Sequence, residues 1–227
     1  ESLRCSDILI GHNAVLSPQE APGCHVPAND LAKAYVHAFF AQENPPPEVA
    51  FGKALKQARL DFAPESLARI DALLWQMHTR LKPGFDAFID DQTNQNFLYL
   101  LAFYTGEVVA RYLGWGIDWY PYEELSGVLS PADMAALPQC FATSMVAVFL
   151  HNGEVAGYFL PLSSITGRLF EGDATASVLQ SADKFMGRGG DLPRLGGPAP
   201  AQELGGADPA LSQAVGEGVR RLGGLLG

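Results

Sequence analysis

Oxygen-bearing side chains are most concentrated between residues 86 and 96, as Asp86, Asp90, Asp91, Asn94 and Asn96. Hard cations such as Mg²⁺ and Ca²⁺ prefer oxygen ligands, but the order of these residues lacks the DxDxDG spacing of a calcium loop. Acidic residues just before a helix also offset the positive end of the helix dipole. The sequence therefore predicts that Asp90 and Asp91 help to start a helix, and it predicts no metal site.

Glu107 is the acidic residue of an almost entirely apolar stretch, residues 97–113. Leaving a buried carboxylate unpaired costs about 3–5 kcal/mol, so Glu107 requires a partner. Arg111 follows four residues later, the spacing at which an acid and a base meet on a helix surface. We predict a structural pair. The alternative is a general base with a raised pKa, in a small hydrolase or cation-dependent enzyme whose second group is Asp90 or Asp91.

Histidine and cysteine residues form no recognised catalytic or metal-binding motif. The histidines are His12, His25, His37, His78 and His151. They lack HExxH spacing. The three cysteines lack the CxxC spacing of metal and redox sites, and this cysteine pattern is typical of a protein from a reducing compartment. The chain also has no GxSxG elbow and no GxxxxGK[ST] loop. No cofactor is predicted.

A group of aromatic and acidic residues after the apolar stretch is the predicted partner-binding site. Its members are Trp115, Tyr120, Tyr122, Glu123 and Glu124. Alternation along a strand places the two tyrosines on one face and the neighbouring Trp119 on the other, in the core. Aromatic anchors supply contact energy, and an acidic rim steers the approach of a basic partner. This surface is therefore predicted to bind a protein, with Trp119 as a structural residue.

Composition limits the class of protein. A chain of 227 residues with 48% hydrophobic and 18% charged side chains can bury one large core. The formal charge of -10 repels phosphate backbones and anionic membrane surfaces, so no nucleic-acid partner is expected. The longest apolar run, residues 97–104, is too short to span a bilayer, so no membrane insertion is expected. The first residues show no secretory signal, which predicts a cytoplasmic protein, although a chain that starts without Met is compatible with a removed signal.

Helical periodicity dominates the first half of the chain. A helix capped by Asn29 or Asp30 should end before the prolines at 45–47, and a second should cover residues 48–59. The clearest amphipathic helix has five apolar residues on one face: Leu67, Ile70, Leu74, Met77 and Leu81. A short helix over residues 85–91 should precede a long central helix that begins at a Thr93 cap and closes at Gly114.

Strand signals follow the central helix. Residues 117–122 are rich in aromatic side chains, and Pro121 favours the edge of a sheet or a strand end. Residues 144–161 predict a β-hairpin, because Asn152-Gly153 between two β-prone runs favours a tight turn that matches strand twist. A short helix should begin at Ser130-Pro131 and end before Pro138. The predicted fold is α+β, a helix-rich domain with a small antiparallel sheet.

The chain divides into three parts by composition. Residues 1–27 are predicted to form an irregular arm with a short strand over residues 7–10. Residues 28–186 are predicted to form a single α+β domain. Residues 187–227 are a Gly/Pro-rich tail, in which Asp208-Pro209 could start a terminal helix that forms only when docked.

Three segments between residues 63 and 173 carry a resemblance: PESLARIDALL, FLYLLAFYTGEVVARYLGWGIDW and FLPLSSITGRLFEGD. In this order they resemble uncharacterised small bacterial α+β proteins with a Y-x-G-E-V helix and a tryptophan strand. Such proteins are similar in size and gene context to the immunity proteins that neutralise toxins exchanged between bacteria. The resemblance implies helix-packing roles for Gly106 and Glu107 and no catalytic residue. The arm and the tail depart from the pattern, which leaves room for other contacts.

The leading hypothesis is therefore a non-catalytic, cytoplasmic binding protein of the immunity type that blocks a basic toxin. The first alternative is the enzyme based on Glu107 with Asp90 or Asp91. The second is a structural subunit of a secretion or envelope assembly, in which the tail docks onto a neighbouring subunit.

Overall fold

A computed structural model of the protein describes residues 27–41, 48–173 and 175–190. Within these ranges the helices are α1 (Ala28–Ala41), α2 (Gly52–Gln57), α3 (Ser66–Leu81), α4 (Phe85–Ile89), α5 (Gln92–Leu113), α6 (Pro131–Ala136), α7 (Pro161–Thr166) and α8 (Val178–Gly190). The strands are β1 (Gly116–Tyr120), β2 (Val146–His151) and β3 (Glu154–Phe159). Short 3₁₀ segments cover Tyr122–Gly127 and Phe141–Thr143, and a π-helical turn covers Gly167–Glu171. The predicted α+β fold is confirmed.

Helix α5 is the centre of the domain, and residues 95–106 are all buried. It begins at Asp91, whose carboxylate accepts hydrogen bonds from the backbone N–H groups of Thr93 and Asn94. The predicted cap, Thr93, is wrong; its hydroxyl donates to the same carboxylate at 2.6 Å. These hydrogen bonds, from Thr93 above all, lower the pKa of Asp91. The helix closes at Gly114 in the left-handed conformation with φ 68°, as predicted.

The sheet is antiparallel with the order β1-β2-β3. Its inner face, which includes Trp119 and Phe149, packs in the main core with α5, and its outer face, which includes Val146 and Val148, packs in a second core cluster. The predicted hairpin is confirmed, because β2 and β3 are joined through Asn152 and Gly153 at φ 54° and 82°. Strand β1 lies at an edge, where Pro121 leads the chain out of the sheet.

Several predicted boundaries are wrong. Helix α2 is shorter than the predicted span of residues 48–59, because Phe51 and Arg59 adopt left-handed backbone conformations at its two ends. Helix α4 ends at Ile89, so Asp91 is free to cap α5. Strand β1 ends at Tyr120, so Tyr122 lies in a 3₁₀ segment rather than in the strand. Leu81 is 45% exposed, at the end of a helix whose other predicted apolar residues are buried.

The sequence reading missed α7, the π-helical turn and α8, and α8 continues to Gly190, past the predicted boundary at residue 187. Ser177 caps α8 by accepting from the backbone N–H of Gln180, and Asp71 of α3 accepts from Ser177, Val178 and Leu179. The predicted strand over residues 7–10, the prolines at 45–47 and the terminal helix lie outside the described residues. In the described ranges no helix is both long and apolar enough to cross a membrane.

Tyr35 joins α1 to α5 through a buried polar network. Its hydroxyl donates to Asn96 Oδ1 at 2.6 Å, and Asn96 Nδ2 donates to the carbonyl of Glu48 at 2.9 Å. Burial, with a smaller contribution from Tyr99, raises the pKa of Tyr35 to about 12. The folded state therefore holds the phenol proton to higher pH than the unfolded state, whose tyrosines have the ordinary pKa of 10.0.

The contribution of Tyr35 to the free energy of unfolding should consequently be fully present below pH 10 and be lost as the pH rises from about 10 to about 12. Urea denaturation between pH 9 and pH 11.5 measures this loss, and Tyr35→Phe should show a smaller loss over the same interval. If the curves of the wild type and the variant run parallel in pH, Tyr35 is not a source of the alkaline sensitivity.

Candidate functional site

An open groove with a volume of about 840 Å³ lies between α1, α5 and β1. We call it the α1–α5 groove. Its apolar lining is large, and it includes Ala32, Val36, Phe40, Phe62, Phe103, Ile117 and Trp119. Its polar lining residues are Asn29, Lys33, His37, Glu107 and Arg111. An apolar lining with a few polar side chains at the edge is typical of binding sites.

Helical periodicity accounts for two walls of the groove. On α1, residues 32, 36 and 40 are four apart and share one stripe, and Lys33 and His37 form the adjacent stripe. On α5, Phe103, Glu107 and Arg111 are likewise four apart. The groove therefore passes from an aromatic floor at Phe103 to a charged rim at Glu107 and Arg111.

Asn29 attaches the start of α1 to the edge of the sheet. Its Oδ1 accepts from the backbone N–H of Trp119 at 2.6 Å, and its Nδ2 donates to Asp118 Oδ1 at 2.9 Å. An edge strand otherwise presents unpaired backbone groups. One amide side chain thus replaces a strand partner and holds α1 and β1, which form the two sides of the groove, at a constant separation.

The floor depends on a close approach between α5 and β1. A Cβ atom on Gly106 would lie 2.5 Å from Trp119 Cζ2 and 2.8 Å from Ile117 Cδ1, so the indole occupies the space that a side chain would need. The ring of Phe103 meets that of Trp119 edge to face, with centroids 4.8 Å apart and planes at 84°. Gly106 therefore positions the Trp119 ring that forms the floor.

Phe62 closes one end of the groove. Its backbone N–H donates to Tyr104 Oη at 2.8 Å, and its ring lies 4.6 Å from that of Phe40 and 5.0 Å from that of Tyr104. The guanidinium of Arg111 lies over the Phe62 ring at 3.8 Å from the centroid, within cation–π distance. The Arg111 side chain is thus held by an aromatic face as well as by an acid.

Glu107 and Arg111 form the pair that their spacing predicts, with 2.9 Å between Oε1 and Nε. The Glu107 side chain is 33% exposed, so it lies at the rim and not deep in the core. Lys33 and His37 are exposed on the opposite rim and make no ion pair or hydrogen bond within the described ranges. Among the described residues of this rim the acid is therefore already neutralised, and the remaining cationic side chain is Lys33, next to the imidazole of His37.

The structure places four of the five predicted partner-binding residues together, and the fifth, Trp115, lies elsewhere. Tyr120 and Tyr122 are half-buried against the second core cluster, and Tyr122 Oη donates to the carbonyl of Leu137 at 3.2 Å. Burial, followed by Asp118 and Glu124, raises the pKa of Tyr120. Glu123 and Glu124 are exposed beside this cluster. The tyrosine rings thus contribute to packing while they stay partly exposed, and Glu123 and Glu124 are the fully exposed acids beside them.

Trp115 lies away from those residues. It precedes β1, so a strand rise of about 3.3 Å per residue puts it roughly 16 Å from Tyr120. Its ring is 5.3 Å from that of His151, beside a smaller pocket of about 350 Å³ between the end of α5 and the hairpin turn. Trp115 therefore belongs to a different part of the surface.

Glu107 is likewise far from Asp90 and Asp91. Asp91 caps the start of α5, and at 1.5 Å per residue a separation of 16 positions is about 24 Å along the axis. An acid–base pair must reach one substrate, so these carboxylates do not form a common site. Among the described residues no group of three or more His, Cys, Asp or Glu side chains could hold a metal ion.

The sequence reading missed the part of the groove that α1 contributes. The stripe of Ala32, Val36 and Phe40 was available as a signal, since these residues recur every four positions. Its function as a groove wall depends on α1 lying across α5 and β1, and a local pattern does not specify that association.

Three comparisons of the chain, with protein-family models, with curated proteins and with solved structures, each found no match.

Proposed function

We propose that this protein is a non-catalytic binding module that receives an apolar segment of a partner protein in the α1–α5 groove. The observation that carries the proposal is the groove itself, which has a volume of about 840 Å³ and nine apolar or aromatic lining residues and is open to the surface. An open groove leaves one side of a small ligand in water, whereas a side-chain row of a larger partner can cover it.

The rim geometry supports binding over turnover. Arg111 holds Glu107 at 2.9 Å and is itself stacked on Phe62. A general base must be free to accept a proton from a bound substrate, and for Glu107 this would require breaking the ion pair. The pair instead gives this part of the rim no net charge.

The finer proposal is that the partner is a toxin and that the protein is a bacterial immunity-type inhibitor. Its support is the resemblance of residues 63–173 to uncharacterised small bacterial α+β proteins that are similar in size and gene context to immunity proteins. The formal charge of -10 adds to it, because it raises the encounter rate with a basic partner. Glu123 and Glu124, both exposed, would add to that attraction. The two features have separate roles: the overall charge speeds approach, and the groove supplies the contact.

Site-specific crosslinking tests the groove. p-Benzoylphenylalanine at Ala34, an exposed residue at the edge of the groove, should crosslink one protein in the native host, whereas the same residue at exposed Ala135 of α6 should not. The purified partner should then bind the wild type, and Val36→Trp, which fills the groove, should weaken binding at least tenfold because the apolar segment no longer fits. Ala135→Trp is the matched control and should bind as the wild type does.

Equal binding by Val36→Trp, with an unchanged melting temperature, would show that the groove is not the binding site.

Bacterial growth tests the inhibitor proposal separately. The crosslinked partner should stop bacterial growth when it is expressed alone, and coexpression of the wild type, but not of Val36→Trp, should restore growth. A partner that is harmless when expressed alone would contradict the inhibitor proposal, but the proposal of a binding module would still stand.

A further inference from the structure

We infer that the segment received by the α1–α5 groove carries an acidic side chain, which pairs with Lys33 and His37 at the rim. This inference rests on the proposed function and specifies the chemistry of the partner. The charge distribution around the groove is its basis, and the alternatives are a purely apolar segment and a basic one.

The charged and titratable side chains that line the groove are Lys33, His37, Glu107 and Arg111. Glu107 is neutralised by Arg111 at 2.9 Å, so neither of them leaves an uncompensated charge. Lys33 and His37 are exposed and pair with nothing in the described ranges. Among the described lining residues Lys33 thus carries a positive charge that no lining acid neutralises, on a molecule whose formal charge is -10, and Asp30 lies three positions before it, outside the lining. Such a local reversal of sign favours a carboxylate at this edge and disfavours a Lys or Arg.

The two residues are spaced to act together. Positions 33 and 37 are one helical turn apart, so their side chains are neighbours on the surface of α1. A single carboxylate can therefore reach both. The apolar stripe of α1 lies one position away at residues 32 and 36, so an acidic residue next to an apolar anchor in the partner would meet the rim as the anchor enters the groove.

A segment with a basic side chain would meet less complementary charge at the rim. A Lys or Arg in the bound segment would approach Lys33, and the acid that could receive it, Glu107, is already paired. A purely apolar segment would fill the floor but would leave the edge unused. Exposed pairs contribute modestly, so the acid is expected to set specificity and a several-fold difference in affinity rather than the whole of binding.

A phage-displayed library of random 16-residue peptides is the probe. Selection on the wild type, with counter-selection on Val36→Trp, isolates peptides that need the groove. We expect enriched peptides to combine apolar residues at helical spacing with an Asp or Glu at a constant distance from them. Lys33→Glu combined with His37→Glu should weaken those peptides at least fivefold and should enrich Lys or Arg at the same position when selection is repeated. Lys53→Glu with Gln57→Glu, on exposed positions of α2 that are also four residues apart, is the control for total charge and should change neither result.

The outcomes separate the two proposals. Peptides that depend on the groove but show no enrichment of acidic residues, or that bind the Lys33 and His37 variant as well as the wild type, overturn this inference and leave the binding groove intact. If no selected peptide distinguishes the wild type from Val36→Trp, the groove does not accept peptide segments, and both proposals fail.

Discussion

Replacing Gly106 with alanine is expected to lower the free energy of unfolding by about 2 kcal/mol, because the added methyl group overpacks the core. Its Cβ would lie 2.5 Å from Trp119 Cζ2, and the Trp119 ring is confined by Phe103 on another side. The clash must displace the indole or separate β1 from α5, and either movement alters the floor of the α1–α5 groove. Urea denaturation measures the loss, and tryptophan fluorescence reports the displacement.

Gly187→Ala is the matched control, because Gly187 also lies in a helix but nothing is within 4 Å of the position where its Cβ would be. Alanine is favoured over glycine in a helix by about 1 kcal/mol, so this variant should be as stable as the wild type or more stable. The two variants should change the free energy of unfolding in opposite directions, and this difference distinguishes the effect of packing from that of helix propensity. If Gly106→Ala were stabilising as well, the contact between α5 and Trp119 would not be close.

Asp71→Ala should also be strongly destabilising, by about 3 kcal/mol, since it removes a charged acceptor from several hydrogen bonds at once. The carboxylate accepts from Ser177 Oγ at 2.6 Å, from the N–H of Val178 at 2.8 Å and from the N–H of Leu179 at 3.1 Å. The first turn of α8 has no intrahelical partners for these donors, so their loss weakens the attachment of α8 to α3. Urea denaturation gives the total effect, and amide hydrogen exchange shows whether α8 opens first.

Asp183→Ala provides the comparison on α8 itself. Burial, followed by repulsion from Glu65, raises the pKa of Asp183, so its charge is mildly unfavourable in the folded state. Its removal should leave stability unchanged or slightly increased. An equal loss in both variants would show that α8 is sensitive to any loss of acidic charge, and not to the specific cap that Asp71 provides.

Elements with strong local signals were predictable. The hairpin at Asn152-Gly153, the left-handed close of α5 at Gly114 and the Ser130 cap with Pro131 all depend on residues that are adjacent in sequence. The pair of Glu107 with Arg111 depends on a separation of one helical turn. In each case the physical cause acts over a few residues, so a pattern in the sequence is enough to identify it.

The elements that the sequence pattern misses or bounds wrongly have two kinds of cause. Some depend on contacts between residues far apart in the chain, and others depend on competition between neighbouring residues. Helix α8 is capped partly by Asp71, more than a hundred positions earlier, and the composition of its glycine-rich end predicts a tail. Alternation predicts Tyr122 on a strand face with Tyr120, but the chain leaves the sheet at Pro121, and both rings pack against the second core cluster. Alternation in the sequence does not show where a strand stops.

The sequence by itself determined the α+β class, the buried central helix and the ionic pair on it, because the periodicity and spacing of apolar and charged residues act locally. Only the tertiary structure decided that α1 crosses α5 beside β1, that Gly106 admits the Trp119 ring, and that Lys33 and His37 share a rim with Glu107 and Arg111. The physical reason is that a groove is the space left between packed elements, and its shape depends on how distant segments fill one another's volume.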